Sequence, residues 1–183
     1  ASGVASQGVA LPQSAAPQIL ILGDSLSAEY GLKRGSGWVA LLQQDLEKGS
    51  ARSKGGKPVK YQIQNASISG ETTAGGKTRL ADLLKKHQPA ITIIELGAND
   101  ALRGLDLGMT ENNLRDMVRQ ARQAGSKVLL VGMQIPPNFG QAYAERFKAA
   151  LAAHFGTPAY IDVLCDPPGE RHRTRSTPLA GLR

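Results

Sequence analysis

The sequence predicts a three-layer α/β/α domain with a mainly parallel, five-stranded sheet. Three observations carry this. Strand-like and helix-like segments alternate along residues 18–164. The runs Ile19-Leu20-Ile21-Leu22 and Ile91-Thr92-Ile93-Ile94 are short, apolar and closed by turn residues, the pattern of strands inside a core. No internal repeat is visible, so the segments read as one domain rather than an array.

Residues 18–22 form the first predicted strand. Val39, Leu41, Leu42 and Leu46 supply the apolar face of a helix over 38–47. Residues 49–58 are basic and glycine-rich and read as a surface loop. Residues 59–64 alternate apolar and polar, as a strand does, and Leu80, Leu83 and Leu84 share one face of a helix over 78–87. Residues 91–96 read as a buried strand, and a helix is expected over 111–124 with Thr110 as its N-cap. A strand over 127–131 ends at Gly132. A helix over 141–155 carries Tyr143, Phe147, Ala150, Leu151 and His154 near one stripe, and residues 158–164 form the fifth strand. Right-handed crossovers between parallel strands bring the strand ends to one edge, so residues just after strands should meet there.

A chain of 183 residues suffices for one domain with a substantial core. Its hydrophobic content of 41% is ordinary for a globular protein, and no apolar run is long enough to cross a bilayer. The net charge of +7 raises the question of nucleic acid. Lys and Arg are scattered, however, with clusters only at 54–60 and 171–175, and no recognition-helix, zinc-finger or base-stacking pattern occurs, so no nucleic-acid partner is expected. A basic surface instead suits anionic lipid or acyl substrates, or keeps the protein in solution. Cys165 is the single cysteine, which excludes an intrachain disulfide, and it reads as an ordinary side chain. No His/Asp/Glu cluster has metal-ligand spacing, and the phosphate-loop and dinucleotide glycine patterns are absent, so no cofactor is expected. Residues 1–17 carry no charged side chain and read as a flexible lead-in. They lack the basic start and apolar stretch of a signal peptide; a mature secreted chain whose leader has been removed would begin this way. The organisation expected is therefore a lead-in over 1–17, a domain over 18–164 and an Arg/Pro-rich tail over 165–183.

Three turns carry the chemistry. Gly23-Asp24-Ser25-Leu26-Ser27 follows the first strand, Asn65-Ala66-Ser67-Ile68-Ser69-Gly70 the second, and Gly97-Ala98-Asn99-Asp100 the third. A serine in a tight turn at a strand's carboxyl end presents its hydroxyl to the crevice where open α/β sheets bind ligands. Acyl transfer needs such a nucleophile together with donors aimed at the developing oxyanion. Ser25 can supply the hydroxyl and its own N–H. Gly70 can supply a second N–H with no side chain to block approach. Asn99 can supply a side-chain N–H that stays neutral. Each residue also has an ordinary reading, as turn chemistry, a turn glycine and a loop cap respectively. Asp24 is expected to brace its loop, and Asp100 to cap or orient the loop of Asn99. Gly132-Met133-Gln134-Ile135-Pro136-Pro137-Asn138 reads either as a pocket wall or as a plain connection.

In that order the three motifs resemble the SGNH hydrolases, also called the GDSL esterase/lipase family, over about residues 18–160. The likeness is strongest to its bacterial periplasmic thioesterase, lysophospholipase and arylesterase branch. The resemblance implies a flavodoxin-like sheet, Ser25 as nucleophile, and Gly70 and Asn99 as oxyanion donors. It also implies a small acyl-ester or thioester substrate, lipid as a possible source of it, a periplasmic or secreted location and a monomer. The family's last block is Asp-x-x-His; here Asp166 precedes His172 by six residues. His172 is the candidate base and Asp166 the residue that would orient it. His87, before Gln88-Pro89, reads as a helix cap, and His154 as a packed or surface side chain. Pro167, Pro168 and Pro178 interrupt the tail and no apolar stripe recurs there, so no closing helix is expected. A base on such a segment would not hold near-attack geometry. Weak ester hydrolysis beside an intact oxyanion site is the expectation. Two other functions fit the same motifs: a non-catalytic domain that binds acyl groups or other small ligands, and a carbohydrate O-deacetylase.

Overall fold

A computed structural model describes residues 16–49, 51–52 and 55–132, together with positions 142, 145, 146 and 149. The elements run β1 (Gln18–Gly23), α1 (Trp38–Glu47), β2 (Gln62–Asn65), α2 (Thr73–His87), β3 (Ile91–Glu95), α3 (Ala98–Leu102), α4 (Leu107–Gln123) and β4 (Lys127–Leu130). The strands form one parallel sheet in the order β2-β1-β3-β4.

β1 is apolar at every position from Ile19 to Leu22 because both of its faces are covered. Leu20 and Leu22 enter the layer of α2 and α4, among Leu80, Leu84, Leu114 and Met117. Ile19 and Ile21 enter the layer of α1, beside Val39 and Leu46. Burying one such side chain contributes about 1.5–3 kcal/mol, so the two clusters fix the three layers. Gly76 sets how closely α2 lies on the sheet: a Cβ there would collide with Leu96 and touch Leu22.

The chain leaves β1 for the β2 edge through α1, then returns across β1 to β3 through α2. Its direction of travel thus reverses between β1 and β3. At such a reversal the two connecting loops part and leave a crevice beyond the strand ends. Ser25 follows β1 and Asn99 follows β3, so both stand at that crevice.

Several boundaries differ from those read in the sequence. α2 begins at Thr73, five residues before the expected 78, because the Thr72 hydroxyl accepts the Gly75 N–H at 3.3 Å. The Gly75-Gly76 pair hid this first turn, since glycine disfavours helix until packing demands it. α4 begins at Leu107, and its N-cap is Asp106, which accepts the Met109 N–H at 2.8 Å. Thr110 is therefore not the cap; it lies one turn inside, with its hydroxyl 3.1 Å from the Asp106 carbonyl. β2 covers 62–65 rather than 59–64. Asn99 sits on a short helix, not in an open loop. The expected fifth strand over 158–164 lies outside the described residues. So does most of the helix over 141–155, whose described positions are helical.

Candidate active site

The turn after β1 folds down onto the sheet. Gly23 makes this possible, because a Cβ there would lie 2.6 Å from Ser27 Oγ and 2.9 Å from Glu95 Oε2. The Asp24 carboxylate braces the turn as expected, accepting the Leu26 N–H at 3.0 Å. The Ala28 N–H closes onto the Asp24 carbonyl at 3.0 Å. Ser27 points inward and is fully buried, donating its hydroxyl to Glu95 Oε2 at 2.7 Å. Ser25 is half-buried. Neither its hydroxyl nor its N–H is bonded to another group among the described residues.

The turn after β2 is laced to β1 beyond the end of the regular strand. Ala66 N–H donates to the Ile21 carbonyl at 2.8 Å and Ile68 N–H to the Gly23 carbonyl at 3.1 Å. Asn65 donates to the Ser27 carbonyl at 2.8 Å and accepts the Ser67 N–H at 3.1 Å, coupling the first two turns. Gly70 has φ +80°, a conformation that disfavours a side chain. Its carbonyl accepts Arg103 Nη2 at 3.0 Å, while its N–H has no partner among the described residues. Arg79 supports the same turn, donating to Glu71 Oε2 at 2.9 Å and to the Ala66 carbonyl at 3.1 Å.

Asn99 joins the two turns. Its Nδ2 donates to Asp24 Oδ2 and to the Glu71 carbonyl, each at 3.0 Å. Asp24 is the chain neighbour of Ser25 and Glu71 that of Gly70, so one amide ties the three motifs together. Both amide hydrogens of Asn99 face these two acceptors. An oxyanion would therefore share one of them. Asp100 anchors the short helix from behind. It is buried, and it accepts the Thr73 N–H at 2.9 Å and the Thr73 hydroxyl at 2.6 Å. It thus ties α3 to the start of α2.

Two carboxyls lie beneath Ser25. Burial raises the Asp24 carboxyl above its ordinary range, against the lowering effect of the Leu26 N–H. Burial, and then the charge of Asp24, push Glu95 up to about 8. Glu95 is 1% exposed and ends β3. Its position in a buried strand gave no sign of this role. Asn65, Arg79 and Arg103 were likewise not singled out as single residues; the only sequence signal was a polar residue at, or just beyond, the end of an apolar segment.

His87 is in the last turn of α2, at the opposite end of the sheet from Ser25, and the cap there is Gln88 in the left-handed conformation. Among the described residues no histidine approaches Ser25. His154, Cys165, Asp166 and His172 lie outside the described residues, as does 133–138. No group of three or more His, Cys, Asp or Glu side chains that could hold a metal occurs among the described residues.

The parallel α/β sheet thus places a turn serine at its switch point, and one asparagine joins that turn to a glycine turn. The GDSL-like lipase/acylhydrolase family model matches residues 21–176, and the chain belongs to that family. It is 46% identical over 141 residues to an esterase, TesA, of Pseudomonas aeruginosa, a match covering 77% of this chain and 66% of the relative. It is 40% identical over 148 residues to a thioesterase 1/protease 1/lysophospholipase L1 of Escherichia coli, covering 79% of this chain and 66% of the relative. The chain therefore spans just under two thirds of the length of these relatives. The crystal structure of a TesA superposes with a TM-score of 0.68 at 43% identity, covering 79% of this chain and 77% of that one.

Proposed function

We propose that this chain hydrolyses carboxylic esters and thioesters through Ser25. The observation that carries the reading is the Asn99 amide, which bridges Asp24 and Glu71 and so gathers the serine, glycine and asparagine turns at one sheet edge. In the proposed reaction Ser25 Oγ attacks the acyl carbonyl and gives its proton to a base. The Ser25 and Gly70 N–H groups and the Asn99 amide receive the oxyanion. Collapse of the intermediate expels an alcohol or thiol, which takes up the proton, and water then cleaves the acyl-serine. His172, oriented by Asp166, is the base this reading assigns, and its place on a Pro-interrupted segment makes the hydrolysis weak. Ile68, Leu102 and Leu105 are exposed apolar side chains on the segments after β2 and β3, and they suit an acyl chain. The substrate is a small acyl ester or thioester, with lysolipid as one source, and the likeness to the thioesterase branch favours the periplasm.

Ser25→Ala is the direct test. Hydrolysis of a chromogenic short-chain ester should fall to background while the circular dichroism spectrum is unchanged, because a half-buried turn serine adds little packing. Turnover retained in that variant would remove the nucleophile assignment. In the wild type, labelling of Ser25 by a serine-reactive phosphonate, compared with His172→Ala, reads out the base.

A further inference from the structure

The polar floor beneath the Ser25 turn holds two buried carboxyls and, among the described residues, no cation. Asp24 and Glu95 are each 1% exposed. Both Asp24 oxygens already have donors: Leu26 N–H on Oδ1 at 3.0 Å and Asn99 Nδ2 on Oδ2 at 3.0 Å. Glu95 Oε2 accepts the Ser27 hydroxyl at 2.7 Å and the Asp24 N–H at 3.4 Å. Glu95 Oε1 is buried with no partner among the described residues. An ionised carboxylate does not keep an oxygen there, because a buried acceptor without a donor bears its full desolvation penalty, which is greater when charged.

The groups that face Glu95 sharpen the case. The β1 turn contributes Asp24, a like charge, and the neutral Ser27. α3 contributes Asp100, whose charge acts on Asp24 and has the same sign. The turn after β2 contributes the neutral Asn65. Two carboxylates in one dry site, with no cation among the described residues, cannot both ionise cheaply; they share a proton. A proton on Glu95 gives its carboxyl a donor for Asp24, which then remains an ionised acceptor for Leu26 and Asn99.

We propose that Glu95 is a positioning residue: a protonated carboxylic acid that holds Asp24, and through Asp24 fixes both the Ser25 turn and the Asn99 amide. Its ionisation places a second negative charge under the turn and releases that hold. Burial and the Asp24 charge set the midpoint at about 8, so the hold is largely in place at neutral pH and is lost on the alkaline side. The kinetic half of this inference rests on the esterase reading; the protonation half does not.

Infrared spectroscopy on the full chain tests the protonation half alone. A carboxylic-acid C=O band should persist through neutral pH, disappear with a midpoint near about 8, and be missing from Glu95→Gln. Absence of such a band above about pH 6, where ordinary carboxyls are ionised, overturns the proposal whatever the activity. Kinetics with a short-chain ester test the positioning half. In the wild type kcat should fall on the alkaline side with the same midpoint and little change in KM. Glu95→Gln, which keeps a neutral donor, should stay within about threefold of wild type at neutral pH and lose that alkaline fall. Glu95→Leu, which cannot donate, should lose on the order of tenfold or more in kcat. Should Glu95→Gln keep the wild-type alkaline limb, the positioning role is wrong even if the infrared band is present. Should Glu95→Gln fail to fold, the wild-type infrared titration still decides the protonation.

Discussion

Two buried acidic sites flank the crevice and are held in opposite ways. Asp100 is satisfied by donors: the Thr73 N–H and hydroxyl, with the Thr110 hydroxyl at 3.4 Å. Its carboxylate oxygens are held by hydrogen bonds that α2 and α4 supply. Asp24 and Glu95 are instead buried as neighbours, with the Asp24 N–H 3.4 Å from Glu95 Oε2, and Glu95 Oε1 has no donor among the described residues. One acid is a settled structural pin. The other pair lies against the Ser25 turn and, as proposed, depends on a proton. Buried polar groups away from function are closed networks, whereas the one under a nucleophile retains a titratable element.

Asn99→Ala should have the largest effect of the substitutions that probe this contrast. It removes a proposed oxyanion donor and also the tie between Asp24 and Glu71. Turnover should fall on the order of 10²–10³-fold, mostly in kcat. A change confined to KM would show that the amide serves ground-state binding. Asp100→Ala tests the settled side. It leaves the Thr73 N–H and hydroxyl buried without an acceptor and should cost about 1–3 kcal/mol of stability by denaturant unfolding. Near-zero loss would mean that water or rearrangement replaces the pin.

The most diagnostic effect is in the pH dependence of stability, read as a slope. The folded-state carboxyl of Glu95 is raised from 4.5 to about 8, so the folded chain binds the extra proton. Stability should therefore be greatest below about 4.5 and decline as pH rises toward 8, as far as this group contributes. One proton accounts for at most about 1.4 kcal/mol per pH unit. Glu95→Gln should flatten that decline, and Asp100→Asn should not. Equal slopes in the wild type and Glu95→Gln would erase the distinction between the two acids.

How far the sequence reaches is visible in particular residues. Ile19 to Leu22 announce a buried strand because a continuous apolar run bounded by turns has few other uses. Ser25, Gly70 and Asn99 stand out because small polar residues follow such runs. The start of α2 was hidden, since Gly75-Gly76 opposes helix locally and is accepted only because Gly76 packs against Leu96 and Leu22. Thr110 looked like a cap because hydroxyls cap helices; Asp106, four residues earlier, won with a charged acceptor for the Met109 N–H.

The sequence by itself determined the alternation of strands and helices, the three-layer fold class, and the three turns that follow strands. These follow from periodicity and residue type, which are local. Tertiary structure alone decided that the Asn99 amide meets Asp24 and Glu71, that Arg103 reaches Gly70, and that Glu95 turns its carboxyl onto Asp24 and Ser27. Those contacts join residues up to 75 positions apart. They depend on strand order and register, which bring distant groups within hydrogen-bond reach, and a one-residue shift of a strand would send each of them to the other face.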